Sequence, residues 1–137
     1  MVLRMVKKFY LVLNTSEGTI QNLGLSFDPE WWDRYYDIHG KFPSIKEEEE
    51  HEKERFVNIM KNIEIAIKNI KRYDSTNLTP LESLAAFEIL LEDDIPYLSI
   101  EKIFKEYFGT TLPLWKNKPK LPRPKYKGDF TAYFPHR

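Results

Sequence analysis

The chain has 137 residues, 42% hydrophobic and 15% aromatic, and its charges cancel to a net of zero. That is one domain's length with material for a real core, and a charged fraction of 31% without net charge excludes a globally disordered chain. The absence of cysteine excludes disulfides, thiolate metal sites and a cysteine nucleophile, and no apolar run nears the roughly 20 residues of a membrane span.

The N-terminus carries Arg4, Lys7 and Lys8 and no acid before Glu17. It is short of serine, its apolar run from Phe9 to Leu13 is brief, and no small-residue cleavage site follows. Neither a transit peptide nor a secretory signal is expected. Residues 7–14 (KKFYLVLN) are strand formers, 14–18 is a turn cluster, and 19–27 reads as the returning strand of a hairpin.

Asp28-Pro29-Glu30 starts a helix: an N-cap acid, proline in the first turn and a further acid at the positive end of the dipole. The helix runs through Trp31, Trp32, Tyr35, Tyr36 and Ile38 to Gly40, a C-terminal stop, and both its sides are aromatic. Ser44 with Glu47 forms a capping box for a long helix over 45–73. In it Phe56, Met60, Ile63, Ile67 and Ile70 are spaced 4, 3, 4, 3, one helical stripe, while 46–55 (KEEEEHEKER) has no apolar residue and projects past the body.

Residues 74–78 read as a loop. Thr79-Pro80-Leu81-Glu82 resembles a second capping box and opens a helix to about Glu92, with Leu81, Leu84, Ala85, Phe87 and Leu91 inward. Ser99 caps a short helix over 100–108, in which Ile100, Ile103, Phe104, Tyr107 and Phe108 keep helical spacing up to Gly109. From Thr111 the character changes. Residues 111–137 hold five of the nine prolines and seven Lys or Arg against Asp129 alone, net +6, which favours polyproline II. Lys127-Gly128-Asp129 offers a turn, and 130–134 a terminal strand to pair with the N-terminal hairpin. Residues 74–95, with six acids and no base, offer this arm a counter-surface within its own chain.

The fold expected is α+β and mainly α: an N-terminal β-hairpin on a small bundle of about four helices over 1–110, with a Pro/Lys-rich C-terminal arm over 111–137. Glu48 and His51 have the Glu-x-x-His spacing of di-metal bundles, but one such motif in the most solvated stretch makes no site. No Gly-rich phosphate loop, HExxH or G-x-S-x-G is present. No catalytic residue, metal or cofactor is assigned, and the chain is read as no enzyme. The helix–turn–helix outline of 80–108 exposes Glu101, Lys102, Lys105 and Glu106, net zero, where a DNA-reading motif presents a basic face.

What stands out for function is contact chemistry. Trp31, Trp32 and Tyr36 on the aromatic helix, and Trp115, Lys116, Lys118, Lys120, Arg123, Lys125, Tyr126, Lys127, Phe130, Tyr133 and Phe134 on the arm, are the partner-binding candidates. The expected role is an accessory or structural component of a larger intracellular assembly, with a protein partner or self-association. The alternative is an RNA- or single-stranded-DNA-binding protein that uses the basic, aromatic arm over 111–137.

Overall fold

The computed structural model describes residues 4–15, 18–79, 82–109 and 114–123. In chain order these form β1 (Met5–Asn14), α1 (Gly18–Asn22), α2 (Pro29–His39), α3 (Ile45–Asn62), β2 (Ile67–Thr79), β3 (Glu82–Pro96), α4 (Tyr97–Phe108) and β4 (Leu114–Trp115). The strands make one antiparallel sheet in the order β2-β3-β1-β4. The expected mainly-α bundle is therefore wrong among the described residues: the centre of the molecule is a sheet, and the helices decorate it.

The correction begins inside the long helix. α3 ends at Asn62, and Glu64 takes a left-handed backbone, φ 64°. The amide of Ile65 then returns to the carbonyl of Met60 at 2.9 Å, which closes the helix. Beyond it Ile63, Ile65 and Ile67 are buried while Glu64 and Ala66 are exposed. That is a period of two, so the isoleucines that fitted a helical stripe belong to the entry into β2.

The helix expected over 80–92 is β3, the strand paired on both edges, to β1 through Ala85↔Leu13 and Phe87↔Leu11 and to β2 through Ala85↔Ser75 and Phe87↔Arg72. Its apolar composition suits either structure, and two neighbours for its backbone decide for strand. Thr79 and Glu82, which looked like a helix cap, face each other across the β2–β3 ladder. The returning strand expected over 19–27 is also absent. Residues 18–22 are the short α1, and Gly24, at φ 73°, turns the chain against α3. A Cβ on Gly24 would sit 3.0 Å from Arg55 Cβ and Ile59 Cδ1, so the turn packs where only glycine fits.

Other expectations hold. Asp28 accepts a hydrogen bond from the Trp31 amide and Pro29 lies in the first turn of α2, which ends at a left-handed Gly40. Ser44 and Glu47 form the capping box of α3. α4 starts at Tyr97 rather than 100, with Pro96 in place of Ser99 at its cap.

One face of the sheet carries the main core. Phe9, Leu11 and Leu13 of β1 and Ala85, Phe87, Ile89 and Leu91 of β3 meet Phe56 and Met60 of α3, Ile100 and Phe104 of α4, and Ile20 of α1. Phe9 and Phe104 meet edge to face at 5.7 Å. The opposite face buries Tyr10 and Ala86, and the chain after β4 lies across it as a strap. Arg72 pairs with Phe87 and Asp74 with Ala86, so Tyr73 is the extra residue of a bulge. The Tyr73 hydroxyl donates to the Pro119 carbonyl at 2.9 Å, and Lys118 Nζ sits 4.6 Å from the centre of its ring. Leu121 is buried, and Arg123 pairs with Asp74 at 2.8 Å. Of the features expected in the arm, the turn at 127–129 and the terminal strand at 130–134 lie outside the described residues. β1's partner on that edge is Leu114–Trp115, at Tyr10↔Trp115 and Leu11↔Leu114.

Candidate functional site

α2 has no buried residue. It is held beside α3 by Asp28 and Trp31 at its N-terminal end and by Tyr35 further along. Asp28 caps α2 and accepts from His51 Nε2 at 3.0 Å, while Arg55 Nε lies 3.9 Å away. The hydrogen bond from His51 is the main reason that the Asp28 carboxyl is held below its ordinary value, with the Trp31 amide and the Arg55 charge acting the same way against partial burial. Trp31 lies flat on the His51 ring, centroids 4.1 Å apart and planes 6° from parallel. Arg55 also donates to the Ser26 carbonyl at 2.9 Å, tying the segment before α2 to α3. Further along, the Tyr35 hydroxyl donates to a carboxylate oxygen of Glu47.

The other side of α2 forms an aromatic row. Phe27 meets Trp32 edge-on at 5.4 Å, Phe42 stacks on Trp32 at 4.4 Å, and Tyr36 leans on Phe42 at 4.7 Å. Phe27 and Trp32 stand at the two positions of a hydrophobic staple, one before the cap and four after it. Phe27, Tyr36, Phe42 and nearby Ile45 stay 61%, 46%, 53% and 74% exposed. Apolar side chains this open in one row mark a contact surface more often than a free one. The Trp32 indole N–H is buried without a hydrogen-bond partner among the described residues.

Between α2, α3 and β2 lies a cleft of about 710 Å³, lined on one side by Phe27, Trp31, Trp32 and Ile45 and on the other by Ile70, Arg72 and Phe87. Its volume falls in the usual range for ligand or side-chain pockets. Glu52 lines it too, and burial raises its carboxyl above the ordinary value against the opposing pull of Arg72, whose Nη2 is 3.6 Å away. Arg72 in turn lies 5.2 Å over the Phe87 ring.

The residues singled out from the sequence fall on two faces. Trp31 and Trp32 are half-buried on the cleft side, with Tyr36 exposed beside them. On the strap, Trp115 is half exposed in β4, Lys116 Nζ is 5.8 Å from the Tyr97 ring, Lys118 sits on Tyr73, Lys120 is exposed, and Arg123 pairs with Asp74. Lys125, Tyr126, Lys127, Phe130, Tyr133 and Phe134 lie outside the described residues. Phe27, Asp28 as a latch, Phe42, His51 and Arg72 were missed. The staple at Phe27 and Trp32 was readable in the sequence, whereas the partners of Asp28 and Arg72 were not, because they come from other elements.

His51 and Glu48 do not converge on a common point with other ligands, and no group of three or more His, Asp or Glu placed to hold a metal occurs among the described residues. No helix among them is long and apolar enough to cross a membrane. Comparison of the chain with protein-family models, curated proteins and solved structures finds no match.

Proposed function

We propose that the protein is a non-catalytic interaction component of a larger intracellular assembly, and that it docks through the aromatic face of α2 and the cleft beneath it. The observation that carries this reading is that α2 has no buried residue and that Tyr36 on it, with Phe27 and Phe42 on its two flanks and Ile45 at the start of α3, stays exposed. A helix that served only its own fold would turn its apolar stripe inward. The His51–Asp28 pair supports the same reading. The imidazole is covered by Trp31 and occupied at Nε2 by a helix cap, an arrangement that holds α2 in place. The absence of cysteine accords with a reducing compartment.

The test is a photo-crosslinking amino acid placed at Tyr36, with Asn58 on the exposed side of α3 as the control, in cells that express the chain. A discrete crosslinked species from position 36 and none from position 58 is expected. No species, or the same species from both, overturns the reading.

A second reading, RNA or single-stranded DNA on the strap, is favoured by one observation: Trp115 is half exposed beside Lys116, with the exposed Lys120 following. It is tested by fluorescence polarisation of single-stranded RNA and DNA at two salt concentrations. Salt-dependent binding lost in Trp115→Ala and Lys120→Glu would move the function to the strap. Binding that is absent, or unchanged in both variants, removes this reading.

A further inference from the structure

The docking reading leaves open what meets the cleft when no partner is bound, and the path of the strap supplies an occupant. The strap starts at the β4 edge of the sheet, where Trp115 pairs with Tyr10, and crosses to the other edge, where the Pro119 carbonyl accepts from Tyr73 and Arg123 pairs with Asp74. β2 is the last strand on that side, so the chain arrives at a rim of the sheet. The same strand lines the cleft. Arg72, two residues from Asp74 and roughly 7 Å along the strand, lies over Phe87 on the opposite face and borders the cleft beside Ile70.

Residues 124–137 follow from this rim. Extended, residues 124–129 span up to about 20 Å, and Pro122 and Pro124 favour an extended backbone there. Packed layers stand about 10 Å apart, so passing round one edge strand brings Phe130 to the cleft with chain to spare. Phe130, Tyr133 and Phe134 are large apolar anchors, and the cleft offers them walls of Phe27, Trp32, Ile45, Ile70 and Phe87.

Charge permits this occupant without selecting it. The lining carries Asp28, Glu48, Glu49 and Glu52 against Lys53, Lys71 and Arg72, and the segment carries Lys125, Lys127 and Arg137 against Asp129. What selects it is the tether. A segment joined to the body beside the cleft meets it at an effective concentration on the order of millimolar, which a second copy or a foreign chain at micromolar concentration has to overcome.

We propose that residues 124–137 turn round the β2 edge and seat Phe130, Tyr133 and Phe134 in the cleft between α2, α3 and β2, as an internal occupant that a docking partner displaces. This rests on the docking reading above, whose surface it shares.

The test is a photo-crosslinking amino acid at Ile45, which lines the cleft and is 74% exposed, in the purified full chain, with Asn58 as the control. Isotope-labelled and unlabelled chains are mixed at low micromolar concentration, irradiated, digested with trypsin and read by mass spectrometry. A crosslink from position 45 to the tryptic peptide 128–137 is expected, with both halves from the same chain, and none from position 58. Phe130→Ser combined with Phe134→Ser should lower its yield about fivefold or more. Neither residue belongs to the described core, so the variant keeps the fold, checked by circular dichroism. No crosslink to 128–137, one that joins labelled to unlabelled chains, an equal yield from position 58, or a yield unchanged in the double variant overturns the proposal. Any of these results together with a crosslinked species at Tyr36 in cells would remove the internal occupant and leave the docking reading standing. The expected crosslink at Ile45 with no species at Tyr36 in cells would remove the docking partner and leave the segment in the cleft.

Discussion

Two carboxylates of the cleft respond to pH in opposite directions. Asp28 has a pKa below the ordinary 3.8 because His51, the Trp31 amide and Arg55 favour its charged form. Its stabilisation is therefore present above that ordinary value and is lost as pH falls through the lower folded one. Asp28→Ala should cost about 1–2 kcal/mol near neutral pH, from the lost cap and pair, and the difference from the native chain should shrink under strong acid. Urea denaturation at both pH values measures it. Glu52 runs the other way. Burial raises it above the ordinary 4.5, so it favours the fold below that value and loses this contribution as pH rises through the folded one. Glu52→Gln should then gain up to about 1 kcal/mol near neutral pH and flatten the stability profile just above 4.5. A loss at neutral pH would show that the Arg72 pair outweighs the burial.

At the scale of elements, the strap converts a charged tail into part of the fold. Leu121 is 3% exposed, whereas the Arg123–Asp74 pair is largely open to solvent, with the arginine side chain 54% exposed. Burial should therefore dominate the strap's energy. Leu121→Ala is expected to cost about 2–3 kcal/mol, and Arg123→Ala under about 1 kcal/mol. Tryptic cleavage at Lys116 and Lys120 should speed up markedly in the first variant and little in the second. The charge pattern of the sequence made an intramolecular resting place for the arm legible. It pointed to the acidic stretch 74–95, most of it expected as a helix, whereas the observed anchors are Asp74 at the edge of that stretch and its neighbour Tyr73, which the bulge in β2 turns towards the strap. A bulge is an outcome of pairing, and no local signal announces it.

The starts of α2 and α3 were legible for the opposite reason. Asp28 reaches the Trp31 amide and Ser44 the Glu47 amide, three residues on in each case. The candidate site was half legible in the same way. Trp31, Trp32 and Tyr36 stood out by composition, but the latch of Asp28 on His51 spans 23 residues and needs α3 folded back on α2.

Across the whole molecule, the sheet sets the folding behaviour. β2 and β3 are neighbours in sequence, but β1 pairs with residues some eighty positions later, Met5 with Pro96 and Asn14 with Leu84. Loop closure on that scale must precede the contacts that reward it. Refolding followed by stopped-flow tryptophan fluorescence should therefore take milliseconds to seconds, rather than the microseconds of a helical bundle. A microsecond phase with full amplitude would contradict the long-range pairing.

By itself the sequence determined the local features: the capped starts of α2 and α3, the amphipathic α4, β1, and an aromatic surface richer than one small core needs. Those signals are complete within three or four residues, because a cap or a helical stripe is satisfied by its own neighbours. Only the tertiary structure decided that residues 67–79 and 82–96 are strands. Their apolar spacing suits helix and strand alike, and the choice fell to the backbone hydrogen bonds that β1 and β2 supply to both edges of β3. The same long-range pairing leaves α2 outside the core, tied to α3 through Asp28, Trp31 and Tyr35, with its aromatic row open.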